Sequence, residues 1–365
     1  MITFSFNGTS HGNGYNGTIC GIPKGVTVNV NNINNALATR KCGFGRSNRQ
    51  AFADIVTFLD HQNQTEFVTD GTDLQFFVAN SCVETRPNIM AVRTGHADLV
   101  GTIRHPNCSA RDIAEVASAR NSLCYVVLGC ICEQILKDWN VRTTYVVEQI
   151  GNVKQTVNTD CWTGDVHQFD TDLFPCVDKD TAQQMAKQID SAKQNGDSLG
   201  GVVCVMAQAP AGIGEIFPYS KKLDAQLSAE LMGIPSVKGI SFGMGYDFAS
   251  ATGTSCHDQL QTDGKTICYK TNNCGGIVGG VTTGQPIVIR LIVKPVPTVK
   301  GVTTIDTQTL QTVPQHYERA DTCVVPNVGF IAKHIVNYVL ANQILTQYAQ
   351  NPTQLPKKGA LNHAI

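Results

Sequence analysis

Asn272-Asn273-Cys274-Gly275-Gly276-Ile277-Val278-Gly279-Gly280-Val281-Thr282-Thr283-Gly284-Gln285-Pro286 runs straight into the apolar stretch Ile287–Val293. Two glycine pairs, then a fifth glycine before Gln-Pro, leave this loop almost bare of side chains. Bare backbone can approach a ligand closely and turn its N–H groups onto phosphates or ring carbonyls. The apolar run reads as a buried strand that leads to Lys294, expected as a fixed positive charge at the mouth of the loop. Together they suggest a pocket for an anionic, planar ligand. Taken alone, the same residues read as a tight hairpin between two buried strands.

Outward from that stretch, strand-like segments recur at 26–30, 74–78, 144–150, 201–206 and 239–243. Helical patterns alternate with them. Residues 181–194 form one, with Asp180 or Thr181 as its cap, Met185 and Ile189 on one side, and Asn195-Gly196 as a left-handed stop. In 222–233, Leu223, Leu227 and Leu231 recur at four-residue spacing. A last helix is expected over 329–349, with Ile331, Ile335, Val339 and Ile344 as its apolar stripe. Long helices with many strands predict an α+β or mixed α/β fold. No linker composition divides the chain, so one domain over 1–350 is expected, followed by a polar tail at 351–365.

The bulk numbers restrict the function. Twenty-eight basic and 29 acidic residues give a net charge of -1, and charged residues are only 16 % of the 365. Such a chain has no global field for nucleic acid or for an anionic membrane. No apolar run approaches bilayer length, and the N-terminus has neither the basic segment nor the apolar core of a secretory signal. The 14 cysteines are irregularly spaced, without Cys-x-x-Cys. They read as small buried hydrophobes in a reducing cytoplasm, and no metal-ligand spacing is convincing.

Anion binding must therefore come from local clusters. Arg40-Lys41-Cys42-Gly43-Phe44-Gly45-Arg46-Ser47-Asn48-Arg49 places four cations in a Gly-rich stretch. Arginine forks match phosphate and carboxylate, although a solvated basic loop would look alike. Gly8-Thr9-Ser10-His11-Gly12 and Arg93-Thr94-Gly95-His96-Ala97-Asp98 each set a histidine beside glycine. An imidazole on such a turn can exchange protons near neutral pH, or it can be an ordinary loop histidine. Ser118-Ala119-Arg120 stands at the start of an apolar helix, where hydroxyl and backbone donors suit an anion. Glu318-Arg319-Ala320-Asp321 offers either a site or a local salt bridge.

These motifs, with Asp197-Ser198-Leu199-Gly200-Gly201, Lys222-Leu223-Asp224-Ala225, Ile234-Pro235-Ser236-Val237-Lys238-Gly239 and Lys294-Pro295-Val296-Pro297-Thr298, follow one another as in the chorismate synthase family. The resemblance runs from about residue 3 to about residue 345. It implies a β-α-β sandwich, a homotetramer and a cytoplasmic enzyme. The implied reaction is the 1,4-anti elimination of phosphate from 5-enolpyruvylshikimate 3-phosphate, which needs reduced FMN. Some family members also reduce flavin with NADPH. No Gly-x-Gly-x-x-Gly follows a strand here, so no dinucleotide domain is indicated.

By the same resemblance His11 protonates the departing phosphate, His96 protonates the reduced flavin, and Ser10 with Asp321 relays a proton. Arg40, Arg46, Arg49, Arg93, Arg120 and Arg319 fall on or beside substrate-binding positions. Ser118, Arg120, Pro235, Ser236, Gly279, Lys294, Thr298, Arg319 and Asp321 fall on flavin-binding ones. The chain also departs from the family pattern. Thr9 replaces a glutamate, Val116 and Tyr125 stand in segments that usually carry arginine, and the 80–93 segment is short. These changes suggest two rivals: a relative that binds FMN or substrate without turnover, and a flavin-dependent oxidoreductase using the same pocket.

Overall fold

Ile287–Val293 is a strand with the predicted bounds, and its burial explains its composition. It pairs antiparallel with Gly201–Gln208 on one side and Val237–Phe242 on the other. A strand paired on both edges and covered on its inner face carries a nearly continuous apolar run. Arg142–Ile150 and the short Val153–Lys154 complete this five-stranded sheet. A second, four-stranded antiparallel sheet takes its strands in the order Thr3–Gly8, Gly14–Cys20, Leu74–Ala79, Val56–Phe58. The structure is a computed structural model that describes residues 1–46, 54–80, 83–159, 162–317 and 321–350.

Eight helices are described: α1 (Val30–Lys41), α2 (Asp98–Arg104), α3 (Ala110–Val116), α4 (Ser122–Lys137), α5 (Lys179–Asn195), α6 (Leu223–Met232), α7 (Gly253–Cys256) and α8 (Val325–Gln350). Helix α4 packs on α1 and on the four-stranded sheet. Its other side packs on α8, which lies in turn on Arg142–Ile150 and Gly201–Gln208. The layers are sheet, helices, sheet, which is the predicted β-α-β sandwich. One core joins them, from Ile19 and Phe76 through Leu128 and Val336 to Val203 and Ile289. Where α4 crosses α8, Gly129 lies against His334, and a Cβ there would overlap the His334 backbone. The absence of a side chain sets that close approach.

Three expectations shift. Helix α5 is capped by Asp178, whose side chain accepts the Thr181 N–H at 2.7 Å, so neither Asp180 nor Thr181 is the cap. Gly196 supplies the left-handed stop with φ 68°. Helix α8 begins at Val325 rather than 329. Pro326 fits there because N–H groups of a first turn have no partner within the helix. Gly329 lies inside α8, against the ring of Tyr145, so it marks a close contact and not a boundary. The 26–30 strand shortens to Thr27–Asn29, because Asn29 caps α1 by accepting from Asn32 N at 2.9 Å. Of twelve described cysteines seven are buried and all are thiols, in line with a hydrophobic role.

Candidate active site

Among the described residues lies a cavity of about 450 Å³, within the usual range of roughly 300–1,000 Å³ for small-molecule sites. Loop ends converge on it. The turn after Thr3–Gly8 brings Ser10 and His11; the C-terminal end of α1 brings Arg40 and Lys41, with Arg46 just beyond. Cations suit that helix end, where carbonyl dipoles point outward. The loop before α2 brings Arg93, Gly95 and His96. Helix α3 brings Arg111 and Glu115, and a short 3₁₀ turn, Ala119–Asn121, presents Ser118 and Arg120 at the head of α4. Lys294, Thr298 and Asp321 complete the polar wall. Ile234, Val328 and Ile331 form an apolar wall between them.

One buried carboxylate organises the cations. Asp54, 2 % exposed, accepts from Arg40 at 2.9 Å, Lys41 at 2.8 Å and Arg120 at 2.7 Å. Arg40 also donates to Ser122 Oγ at 3.2 Å. Burial pushes the pKa values of Arg40 and Lys41 down, and the Asp54 charge opposes this. Three cations on one anion leave excess positive charge. The Nε groups of Arg40 and Arg120 are buried with no hydrogen-bond partner among the described residues. The Tyr15 hydroxyl behind them is also unpartnered, its pKa pushed up to about 12 by burial. Arg40 and Arg120 line the cavity, and their charge suits an anion there.

Both imidazoles face this cavity, and each is anchored at Nδ1 by a carboxylate. His96 Nδ1 lies 2.6 Å from Asp98 Oδ1, and Asp98 also binds Arg93 at 2.8 and 2.9 Å. Burial would raise the Asp98 pKa, but hydrogen bonds from His96 and Arg93 hold it well below the usual carboxylate range. A carboxylate only accepts, so His96 carries its proton on Nδ1 and donates it there. The 3.1 Å approach of Arg93 to the same nitrogen is then a contact between two donors, not a hydrogen bond. His11 Nδ1 lies 2.8 Å from both oxygens of Glu115.

Near the apolar wall Ser236 has φ 75°, a left-handed conformation that costs a non-glycine residue about 1–3 kcal/mol. Its carbonyl accepts the Lys294 N–H at 2.8 Å. The Lys294 ammonium donates to the Gly95 carbonyl at 2.6 Å, joining the histidine loop to the five-stranded sheet.

The family model for chorismate synthase matches residues 2–345. The chain belongs to the chorismate synthase family. It is similar to chorismate synthase of Caldicellulosiruptor bescii, 35 % identical over 358 residues and 93 % of each chain. It is also similar to chorismate synthase 2 of Bacillus cereus, 32 % identical over 383 residues, covering 98 % of this chain and 97 % of that one. A crystal structure of a chorismate synthase superposes with a TM-score of 0.75 at 25 % identity, covering 95 % of this chain and 92 % of the other.

Chorismate synthases use reduced FMN, and the residues present fit a phosphate-bearing flavin beside a polyanionic substrate. The surplus of cations and the apolar wall agree with such a pair. Of the residues expected from sequence, Ser10, His11, Arg40, Arg46, Arg93, His96, Ser118, Arg120, Pro235, Ser236, Lys294, Thr298 and Asp321 share this cavity. Arg49 and Arg319 lie outside the described residues.

Gly279 is not brought to the cavity. It sits at the turn between Ile277–Val278 and Val281–Thr282, so the hairpin reading of the Gly-rich loop holds. Lys294 is not at the mouth of that loop either. The loop enters the Ile287–Val293 strand at one end and Lys294 leaves at the other, about 26 Å away at roughly 3.3 Å per residue. Ser10 and Asp321, expected as a relay pair, hold different partners: Ser10 accepts from Ser118 at 3.1 Å, and Asp321 binds Arg46 at 3.0 Å. Sequence reading missed Asp54, Glu115, Arg86 and Arg111. The last two line the cavity from the short 80–93 segment and from α3.

Proposed function

We propose that the chain converts 5-enolpyruvylshikimate 3-phosphate into chorismate and inorganic phosphate by 1,4-anti elimination, with reduced FMN as cofactor. The observation that carries this reading is the pair of Nδ1-anchored imidazoles on one cation-lined cavity. The substrate bears two carboxylates and a phosphate, and the flavin bears a further phosphate. Eight lysines and arginines line the cavity against Glu115 and Asp321, with Asp54 and Asp98 buried behind. In a partly desolvated site such fixed charges stabilise an anion far more than in water.

The roles are those that the family resemblance implies. His11 gives a proton from Nε2 to the phosphate oxygen as the C–O bond breaks. His96, its Nδ1 proton held by Asp98, keeps a proton at Nε2 for the flavin. Arg40, Arg46, Arg93 and Arg120, with Arg49 and Arg319, hold the substrate anions. Ser118, Pro235, Ser236, Lys294 and Thr298 hold the flavin. Ser10 and Asp321 move the proton that must leave the site. Reduced FMN, when bound, supplies electron density to the substrate ring and an acceptor for its C6 hydrogen.

The loss of arginine at Val116 and Tyr125 favours a non-catalytic binder, but Arg111, earlier on the same helix as Val116, and Arg86 from the short 80–93 segment bring cations to the cavity. The chain works as a homotetramer in the cytoplasm, with one functional domain over 1–350. These points rest on the family resemblance. No described helix is long and apolar enough to cross a membrane. The deciding assay is phosphate release from 5-enolpyruvylshikimate 3-phosphate with anaerobically reduced FMN. Release with chorismate formed in equal amount supports the reading, and no release at saturating substrate and flavin removes it.

A further inference from the structure

We propose that Glu115 is the positioning residue of His11, fixing its imidazole as the Nδ1–H tautomer so that Nε2 is the nitrogen that exchanges protons. The inference rests on the proposed elimination and extends it to a residue with no role so far. It stands on geometry at the junction of α3 and the Ser10–Gly12 turn. Glu115 receives two donors from one residue, the His11 ring Nδ1 at 2.8 Å and the His11 main-chain N–H at 2.9 Å. The ring cannot turn about its bonds without giving up the first, and the second holds the carboxylate in place.

A carboxylate in a cavity built for anions opposes binding by Coulomb repulsion. Glu115 lines that cavity with its side chain only 16 % exposed, so its charge needs a compensating use. Pairing with His11 gives one. An ionised carboxylate accepts and never donates, so the proton beside it stays on Nδ1 in both charge states of the ring. When Nε2 passes its proton to the phosphate oxygen, the C–O electron pair leaves with the phosphate. The ring becomes neutral with its Nδ1 proton still donated to Glu115. Only one nitrogen then has to lose and regain a proton, as in triads where a carboxylate orients a catalytic imidazole.

The carboxylate against His11 comes from α3, not from the turn itself, where position 9 is Thr9. The turn has a second support. Asn80 Nδ2 donates to the carbonyls of Ser10 and Gly12, both at 2.9 Å. Removing the Glu115 carboxylate therefore takes away the acceptor at Nδ1 while leaving the turn held.

The test compares the parent with Glu115→Ala and Glu115→Gln by ¹⁵N NMR of histidine-labelled protein, with His11→Asn to assign the signal. At alkaline pH the parent should show a protonated Nδ1 and a bare Nε2 at His11. Glu115→Ala should shift the major form to Nε2–H, and Glu115→Gln, which keeps one acceptor oxygen, should fall between. An unchanged Nδ1–H form in Glu115→Ala overturns the proposal. In turnover, Glu115→Ala should lower kcat about 10²-fold with KM within about threefold, and Glu115→Gln should recover part of the loss. A parent kcat in Glu115→Ala overturns it as well. If the parent itself releases no phosphate, the elimination reading fails, while the NMR comparison still decides the role of Glu115.

Discussion

Asp54→Asn isolates the carboxylate that gathers the cationic wall. The substitution keeps the volume and removes the charge that accepts from Arg40, Lys41 and Arg120 at 2.7–2.9 Å. Arg40 is 4 % exposed and cannot regain its lost partner from water. Removing one side of a buried ion pair costs about 3–5 kcal/mol, mostly from the charge left behind. An unfolding entropy near 2.1 cal/mol/K per residue gives roughly 0.8 kcal/mol/K for 365 residues. The thermal midpoint should therefore fall by about 4–6 °C.

The same substitution adds one net positive charge beside Arg40 and Arg120, so inorganic phosphate should bind more tightly. Phosphate at 100 times its dissociation constant returns about 2.7 kcal/mol. Differential scanning fluorimetry across a phosphate series reads both effects. A midpoint within about 1 °C of the parent, or a variant that phosphate stabilises less than the parent, would refute the reasoning.

His96→Ala should lower kcat by about 10²-fold or more while FMN still binds, since it removes a proton donor and leaves the cations in place; turnover at the parent rate would exclude that role. Arg46→Ala should raise KM by about 10- to 150-fold, from the roughly 1.5–3 kcal/mol of a charged hydrogen bond, and an unchanged KM in steady-state kinetics would count against it. Asp98→Asn tests the lowered carboxyl pKa through stability. A group with a depressed folded pKa stabilises the protein above its unfolded value, about 3.9, and loses that contribution as pH falls toward the folded value. The gap in melting temperature between parent and Asp98→Asn should be full at pH 6–7 and narrow below about pH 4; a constant gap from pH 7 to 3 would contradict the assignment.

Much of this site was legible because its residues come in short motifs that keep their neighbours. Ser10 with His11, Arg93 with His96 and Asp98, and Ser118 with Arg120 each stay together on one turn, so sequence adjacency survives folding. The strand at Ile287–Val293 was legible because two paired edges and a covered face favour an apolar run, broken only by Arg290, which pairs with Glu148 at 2.7 Å. Asp54 was not legible. It sits fourteen residues after Arg40, alone among the apolar neighbours Ala53, Ile55 and Val56, and only the fold brings it under α1 and the head of α4. Glu115 was hidden for the same reason, lying 104 residues from His11. The Gly-rich loop misled because left-handed backbone serves a hairpin turn as well as a ligand: Gly279 and Gly280 have φ 63° and 95°. Helix α1 escaped notice because its asparagine-rich sequence shows only a sparse apolar stripe, Val30, Ile33 and Leu37.

The most direct measurement is a crystal structure of the protein soaked with oxidised FMN and 5-enolpyruvylshikimate 3-phosphate. The substrate phosphate should lie within hydrogen-bonding distance of His11, and the flavin should lie between His96 and the Ile234–Ser236 wall. Flavin density anywhere outside the cavity shared by the two histidines would contradict the account.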